Sequence, residues 1–378
     1  MAKSTRRRRG ATTIEDVSRA AGVSPMTVSR VINGSTNVRE STRSSVLKII
    51  ERLNYSPNSA ARSLAAGQPS FAEPDGVDRR SGSASGSTYA GVELGGTKCV
   101  AILARGPEDV LARVTLPTVS PERTIPAIAA ILRKWQSEEG FEALGIASFG
   151  PAELDSSSPN HGHLTNTPKA GWAGADVVGP LRRAAGVPVA FDTDVNGAAL
   201  AEMRWGLGLG FADFAYVTVG TGVGVGLVAN GLPMRGFAHC ELGHIRVPRL
   251  PNDKFEGSCP FHGDCVEGLA SGPSLIARLG SERASALSPD DPVWESVSWA
   301  LAQLCHVIVC AAAPRAIAIG GGVADNHPHL LDRINSMLVE SLNGYMVLPR
   351  EEAYARAPLL GEDAGPLGSV ALAMTVAP

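Results

Sequence analysis

The amino-acid sequence predicts an α/β body of two lobes, preceded by a small all-α domain. Residues 1–65 contain 12 Lys and Arg against 4 Asp and Glu, whereas the remainder contains 22 against 33. Apolar residues recur at helical spacing in the basic part, while three glycine-dense turns in the acidic part each directly follow an apolar strand. A Pro-, Gly- and Ser-rich stretch separates them. The expected domains are therefore residues 1–66, a linker over 67–88, and residues 89–378.

Composition limits the class of protein. Charged residues make up 19% of the 378 residues and hydrophobic residues 44%, as in ordinary globular proteins. No apolar run approaches the roughly 20 residues that span a bilayer, and the N-terminus lacks a signal-peptide core. Six irregularly spaced cysteines do not suggest a disulfide framework. We expect a cytoplasmic protein without a membrane partner, whose basic head binds a polyanion.

The basic part has the pattern of a helix-turn-helix. Thr13 is placed to cap a first helix that Gly22 ends, and Ser24 is placed to cap a second helix that Gly34 ends. In such a unit the start of the second helix enters the major groove of DNA. The outward-facing candidates for DNA contact are Pro25, Met26, Thr27, Ser29 and Arg30.

A third helix is expected over Ser41–Leu53, and Asn58 is placed to cap a short helix that contains Ala61 and Leu64. The order TIEDVSRAAGVSPMTVSRVING…LNYSPNSAARSLAAG resembles the DNA-binding headpiece of the lactose-repressor family over residues 12–66. That resemblance implies a hinge helix at Asn58–Ala65 that enters the minor groove, with Leu64 as the wedge, and a homodimer of paired heads. The alternative is an unrelated bundle of short amphipathic helices.

Three glycine turns in the acidic part are candidate phosphate loops. Glycines let backbone N–H groups approach phosphate oxygens closely. One such turn fits a plain hairpin equally well, but three after buried strands indicate two lobes around a nucleotide. The turns contain Gly95, Gly96, Thr97 and Lys98; Gly220, Thr221 and Gly222; and Gly320, Gly321 and Gly322.

Asp194 is the candidate general base. It lies in PVAFDTDVNGAALAE, at the end of an apolar strand and just before a helix that starts near Asn196. A carboxylate there can accept the proton of a hydroxyl that attacks a phosphoryl group. Asp194 or Asp192 can equally cap the helix, and the residues alone do not decide between these roles.

His244, Cys259, His262 and Cys265 form the spacing H-x14-C-x2-H-x2-C. Two thiolates and two imidazoles suit a closed tetrahedral zinc site, which would brace the loop that carries Glu241 and Glu267. The alternative is free thiols beside surface histidines. The remaining cysteines are expected to be buried thiols. They are Cys99, Cys240, Cys305 and Cys310.

From about Tyr89 to the C-terminal LGSVALAM, the chain resembles the ROK family (repressor, open reading frame, kinase) of sugar kinases, and within it the bacterial fructokinases. The motifs are GVELGGTK, IASFGP, GHLTNTPKAGW, DTDVNGAALAE, VGTGVGVG, ELGH…CPFHGDC and AIGGGVA. The resemblance implies an actin-like/ribonuclease-H-like pair of α/β lobes with ATP and Mg²⁺ in the cleft. The fructokinase marks are Glu93, TPKAGW and the FHG inside the cysteine–histidine loop.

The resemblance also assigns roles to individual residues. It makes Asp194 the base for the sugar hydroxyl, with Asn196 beside it, and makes the first two glycine turns phosphate loops and the third the adenosine loop. Sugar-binding positions are matched by Glu241, His244 and Glu267, of which the histidine serves both zinc and sugar. At TPKAGW a sugar-contacting Asn of glucokinases has no counterpart, so fructose is the expected hexose. Neither Asn166 nor Lys169 receives a role.

Three functions remain open at this stage. The chain is an active hexose kinase with a DNA-binding head, a sugar-responsive repressor whose kinase fold is only a sensor, or a kinase whose head no longer binds an operator. A sensor does not need the base or the phosphate loops, yet both are present with the full set of metal ligands. We therefore expect the first function. The long Ser- and Gly-rich linker is a poor transmitter of geometry between the two parts.

Overall fold

The computed structural model describes residues 14–24, 27–28, 31, 40–52, 86–280, 284, 287–349 and 353–377. The chain divides into two compact units, Met1–Glu73 and Pro74–Pro378. Several residues assigned to capping or DNA contact on sequence lie outside the described residues. They are Thr13, Pro25, Met26, Ser29, Arg30, Gly34, Asn58, Ala61 and Leu64.

The first unit contains helices α1 (Ile14–Ala21) and α2 (Glu40–Arg52). Gly22 follows α1 with a positive φ of 64°, which a glycine adopts without strain and which ends the helix. The Ser24 hydroxyl accepts a hydrogen bond from the Thr27 backbone N–H at 3.2 Å, so the predicted cap of the second helix is confirmed. A small apolar core joins α1, α2 and the segment of the second predicted helix that follows Ser24. Its buried members are Val17, Val28, Val31 and Val46.

The first lobe of the second unit is built on a five-stranded sheet in the order β3-β2-β1-β4-β5. Strand β4, which pairs in parallel with β1 and β5, is buried at every position, as expected for a parallel strand covered on both faces. The strands are β1 (Tyr89–Leu94), β2 (Lys98–Gly106), β3 (Asp109–Pro117), β4 (Ala143–Ser148) and β5 (Val189–Thr193). The helices of this lobe are α3 (Pro121–Glu138) and α4 (Val178–Ala185).

The second lobe repeats the same connectivity. Its sheet has the order β10-β9-β6-β7-β8, so each lobe has an antiparallel meander followed by two parallel strands. The strands are β6 (Phe214–Val219), β7 (Val223–Ala229), β8 (Leu232–Pro233), β9 (Ile317–Gly320) and β10 (Ala355–Arg356). This duplicated topology confirms the actin-like/ribonuclease-H-like expectation.

Helix α8 (Val293–Ala312) is the long apolar helix of the second lobe; it follows α6 (Val266–Ala270) and α7 (Gly272–Leu279). By length and composition alone it could cross a membrane, but Trp294, Leu301 and Ile308 lie in the lobe's core. Cys305 is buried on this helix and Cys99 on β2, as predicted. The prediction is wrong for Cys310, which lies exposed on the last turn, and Cys240 is only partly buried.

Two helices lie between the sheets: α5 (Asp194–Trp205) and α11 (Ala364–Ala373), the latter following α9 (Gly322–Asn326) and α10 (His329–Leu342). They touch backbone to backbone, since a Cβ added at Gly368 would lie 2.4 Å from the carbonyl carbon of Gly197. Strand β7 closes on the start of α5 in the same way, because a Cβ at Gly226 would lie 2.1 Å from the Val195 oxygen. These contacts fix the start of α5.

Candidate active site

At the first turn of α5, the residue that caps the helix is not one of the two carboxylates predicted as possible caps. Thr193 is the cap, because its hydroxyl accepts a hydrogen bond from the Asn196 N–H at 3.2 Å. Asp192 is fully buried; it accepts from the Asn196 side-chain amide at 2.8 Å and forms an ion pair with Arg235. Neither aspartate considered on sequence caps the helix. Asp194 is left at its first position with part of its surface open to the cleft.

The electrostatic environment of the cleft disfavours negative charge. Burial raises the pKa of Asp194 to about 6, against hydrogen bonds from backbone N–H groups that lower it. Burial and, secondarily, Asp194 raise the pKa of Glu93 to about 7. Desolvation raises the pKa of Glu241 to about 7, with further contributions from Asp194 and Glu267. A carboxylate with a pKa near neutrality is a better proton acceptor than an ordinary aspartate.

A cavity of about 560 Å³ lies in front of Asp194. It is bounded by two of the predicted glycine turns and by the predicted sugar-binding side chains, so most of the site residues come together here. The predicted residues that line it are Gly96, Asp194, Gly220, Thr221, Gly222, Glu241, His244 and Glu267.

A second cavity, of about 340 Å³, adjoins the first and shares Asp194, Val195 and Thr218 with it. The third glycine turn forms part of its wall. Gly321 has a positive φ of 92°, and a Cβ there would lie 2.6 Å from the Thr218 hydroxyl oxygen, so no other residue fits this turn. The predicted residues that line this cavity are Lys98, Asp194, Gly321 and Gly322, joined by Glu93, Asp325 and Glu362.

Four of the residues predicted to bind ATP or sugar do not line either cavity. Gly95 and Thr97 form the turn itself, with a hydrogen bond from the Gly95 N–H to the Lys98 carbonyl at 3.0 Å. Gly320 is buried, and a Cβ there would lie 2.9 Å from the Tyr216 hydroxyl oxygen. The side chain of Asn196 is held by Asp192, so the structure does not bring it to the sugar side.

The four predicted metal ligands converge. Their donor atoms all lie within 4.8 Å of one another. His244 Nδ1 is 3.3 Å from His262 Nδ1 and 3.6 Å from the sulfur of each of Cys259 and Cys265. With Zn–N near 2.0–2.1 Å and Zn–S near 2.3 Å, a tetrahedron has edges of about 3.3 Å between nitrogens and about 3.6 Å between nitrogen and sulfur. The donor set fits a tetrahedral metal ion.

His244 joins this cluster to the cleft. Its Nδ1 faces the other donors, while its Nε2 lies 4.0 Å from Glu267 Oε1. The other oxygen of Glu267 accepts a hydrogen bond from the Val223 N–H at 3.1 Å, and a Cβ at Gly222 would lie 2.6 Å from it. The cysteine–histidine cluster and the second glycine turn are therefore connected through the Glu267 carboxylate.

His239 lies at the cleft, although its role was not predicted from the sequence. This buried histidine accepts a hydrogen bond at Nε2 from the Ala152 N–H at 3.1 Å, which leaves the proton on Nδ1, 3.4 Å from Glu241 Oε1. Desolvation lowers its pKa, which favours the neutral ring. His239 thus ties Glu241 to the first lobe. It lies five residues before His244, a spacing that no metal or catalytic pattern marks.

The cleft also contains Lys169, which the sequence left without a role. Its ammonium donates a hydrogen bond to the Gly96 carbonyl at 2.5 Å, and it lines the first cavity beside Phe149 and Gly150. Asn166 is exposed and does not line either cavity.

A carboxylate between two glycine turns, at the cleft of two lobes of the same topology, defines a phosphoryl-transfer enzyme of the actin-like/ribonuclease-H-like class. Residues 89–376 match the ROK family, so the chain belongs to that family. Residues 13–58 match the bacterial regulatory proteins of the lacI family.

Two fructokinases and a ROK family glucokinase of known structure each align with about three-quarters of this chain. A fructokinase from Lactococcus lactis subsp. cremoris is 38% identical over 76% of this chain and 97% of its own length. A fructokinase from Zymomonas mobilis is 40% identical over 76% of this chain and 96% of its own length. The crystal structure of a ROK family glucokinase from Streptomyces griseus, in complex with glucose and AMPPNP, is 26% identical with a TM-score of 0.61, over 76% of this chain and 100% of that one.

The geometry of the cysteine–histidine cluster predicts one tightly bound metal ion per chain, which we expect to be zinc. Cys259→Ser removes a thiolate and should lower the bound metal to well below one equivalent, whereas the exposed thiol control Cys310→Ser should retain it. Elemental analysis after dialysis measures both. A wild-type chain with far less than one equivalent, or a Cys259→Ser variant with a full equivalent, would contradict the assignment.

Proposed function

We propose that this ROK family member is an ATP-dependent hexose kinase that converts fructose to fructose 6-phosphate. The observation that carries the proposal is the position of Asp194, which lines both cavities. One cavity contains the predicted sugar-binding side chains and two glycine turns, and the other contains the third glycine turn. A base at their junction meets both the hydroxyl and the phosphoryl group.

In this proposal Asp194 accepts the proton of the C6 hydroxyl of fructose as that oxygen attacks the γ-phosphorus of ATP. Glu241, His244 and Glu267 orient the hexose by hydrogen bonds to its other hydroxyls, with His239 holding Glu241. The backbone N–H groups of the glycine turns receive the phosphates. Glu93, which lines the second cavity, would supply a carboxylate oxygen of the kind that Mg²⁺ prefers, and the ion would neutralise charge on the triphosphate.

Fructose is proposed over glucose for two reasons. The named relatives with the higher identities, 38% and 40%, are fructokinases, whereas the glucokinase of known structure is 26% identical. In addition, the TPKAGW loop presents Thr167, Pro168 and Lys169 to the cavity where the sequence pattern of glucokinases has an asparagine.

We propose structural zinc for the cluster of His244, Cys259, His262 and Cys265. Its closed set of four protein ligands leaves no position for substrate. The metal would hold the loop of Glu241 and Glu267 against the cleft. We also propose a cytoplasmic location and a domain arrangement of residues 1–66, 67–88 and 89–378.

The head supports a second proposed activity, sequence-specific binding of double-stranded DNA as a homodimer. Its support is the lacI family match, together with the confirmed Ser24 cap and valine core. Thr27, the one DNA-contact candidate that is described, lies in the first turn after the Ser24 cap and is partly exposed. Such a head would place the kinase at an operator, where it would regulate genes for sugar use.

The catalytic proposal predicts fructose-dependent ATP turnover that exceeds turnover with glucose or mannose. Asp194→Asn keeps the side chain's size but cannot accept the proton, so we expect kcat to fall about 10²- to 10⁴-fold. The control Asp290→Asn, at an exposed site in the second lobe, should match wild type. A coupled ADP assay measures these rates. Absent turnover with every hexose would favour the sensor function instead.

The raised pKa of Asp194 predicts the pH profile. The base works when ionised, and the ionised fraction grows as pH rises through about 6. We therefore expect kcat/KM for fructose to rise with an apparent pKa near 6, well above the ordinary aspartate value. Burial, and not Glu241, raises this pKa. Glu241→Gln should therefore lower activity, while kcat/KM still rises with an apparent pKa near 6. A rise in kcat/KM with an apparent pKa near 4 would contradict the role of Asp194 as the base.

The DNA proposal predicts specific binding to the promoter region of the chain's own gene. Arg30→Ala should abolish the preference for that DNA over a scrambled duplex, because Arg30 is the one candidate for DNA contact whose side chain can bond guanine bidentately. Arg133→Ala, at an exposed position on α3, should leave the preference unchanged. A fluorescence-anisotropy titration at several salt concentrations measures both. Wild-type affinity that is indifferent to sequence would eliminate the proposed regulation.

A further inference from the structure

Lys169 lies at a point where a loop of the first lobe meets the first glycine turn. Its ammonium donates to the Gly96 carbonyl at 2.5 Å, although 72 residues separate the two along the chain. The same side chain lines the cavity that contains Asp194. A cation is therefore positioned directly at a predicted phosphate loop, in the cavity that also contains the base.

The loop around Lys169 is anchored in the lobe. The buried indole of Trp172 donates to the Val119 carbonyl at 2.7 Å and packs edge-on against Phe149 at 5.5 Å. The Trp172 N–H in turn donates to the Lys169 carbonyl at 3.1 Å. Since the backbone of the loop is held in this way, the lysine side chain extends to the cavity from a fixed backbone position.

The charge of Lys169 has no carboxylate partner within ion-pair distance among the described residues. An ammonium has three N–H donors, and in the described part of the chain the Gly96 carbonyl accepts one of them. Desolvation lowers the pKa of Lys169, so the charged form gains from an anionic ligand. A hexose is neutral, whereas a triphosphate supplies that charge.

The composition of the cavity walls supports the same ligand. Of the Lys and Arg residues that the structure describes, Lys169 lines the first cavity and Lys98 the second. The other charged groups of the first cavity are the carboxylates of Asp194, Glu241 and Glu267. Without a cation on this wall, a triphosphate would face carboxylates at short range, which is unfavourable in a partly desolvated cleft.

We propose that Lys169 is a catalytic residue that binds the phosphoryl group in transfer, an inference that rests on the proposed kinase function. On nucleotide binding its ammonium exchanges the Gly96 carbonyl for an oxygen of the γ-phosphate. The bond from the hexose oxygen to the γ-phosphorus forms as the bond to the bridging oxygen of ADP breaks. ADP keeps the electron pair and Asp194 takes the hydroxyl proton. Lys169 stays protonated throughout and stabilises the transferred group electrostatically.

The test compares Lys169→Met, which keeps the aliphatic stem, with Lys169→Arg, which keeps the charge. Lys134→Met, an exposed lysine on α3, is the matched control for loss of one positive charge. Steady-state kinetics give kcat and the KM for fructose and ATP. Isothermal titration calorimetry with AMPPNP and with ADP measures binding without turnover, and thermal unfolding checks that each variant is folded.

We expect Lys169→Met to lower kcat about 100-fold, with the KM for fructose within about twofold of wild type. AMPPNP binding should weaken about tenfold and ADP binding much less, because the contact is with the terminal phosphate. Lys169→Arg should recover part of both losses, and Lys134→Met should match wild type.

Two results would overturn this role. One is a folded Lys169→Met with wild-type kcat and an unchanged preference between AMPPNP and ADP. The other is a rise confined to the KM for fructose, which would make Lys169 a sugar ligand. If the wild type turns over no hexose, the kinase proposal fails. The AMPPNP and ADP affinities then still decide whether Lys169 binds a terminal phosphate.

Discussion

The start of helix α5 is the constraint on which the site depends. Thr193 caps the helix, and Asp192 is occupied by Asn196 and Arg235, so Asp194 is left as the carboxylate at the cleft. The helix packs backbone against backbone on two sides, because Gly226 of β7 and Gly368 of α11 have no side chain to hold the neighbouring backbone away. The position of the base is thus set by close packing between the lobes. A side chain at Gly226 or Gly368 would displace it.

The opposite wall of the cleft is held by different means. It is made mostly of irregular chain between β8 and α6, together with the first turn of α6, on which Glu267 lies. His244 links the cysteine–histidine cluster to Glu267, Glu267 is bonded to the second glycine turn, and His239 connects Glu241 to the first lobe. Precise placement of side chains on a loop requires such supports. The cysteine–histidine cluster and His239 thus supply the rigidity that secondary structure provides on the side of α5.

Much of the fold and the site could be predicted from the sequence because the decisive signals are local. Glycine turns directly after apolar strands, and metal ligands spaced by two residues, are visible in one dimension, and the structure brings them together. Residues whose partners are distant in sequence were not predictable. His239 contacts Ala152 and Lys169 contacts Gly96, contacts that no spacing reveals. Asn196 shows the converse error, since its position beside Asp194 in sequence suggested the cleft, but its side chain is bonded to Asp192. Cys310 was misjudged because an apolar helix can have an exposed end.

The central claim is that Asp194 faces a hexose hydroxyl across the cleft while a triphosphate lies between the glycine turns. A crystal structure of the chain with fructose and AMPPNP tests it most directly. We expect an Asp194 carboxylate oxygen about 2.6–3.2 Å from the C6 hydroxyl of the sugar, with the γ-phosphate in line beyond that hydroxyl. A sugar bound away from Asp194, or a triphosphate outside the space between the turns at Gly96 and Gly220–Gly222, would contradict it.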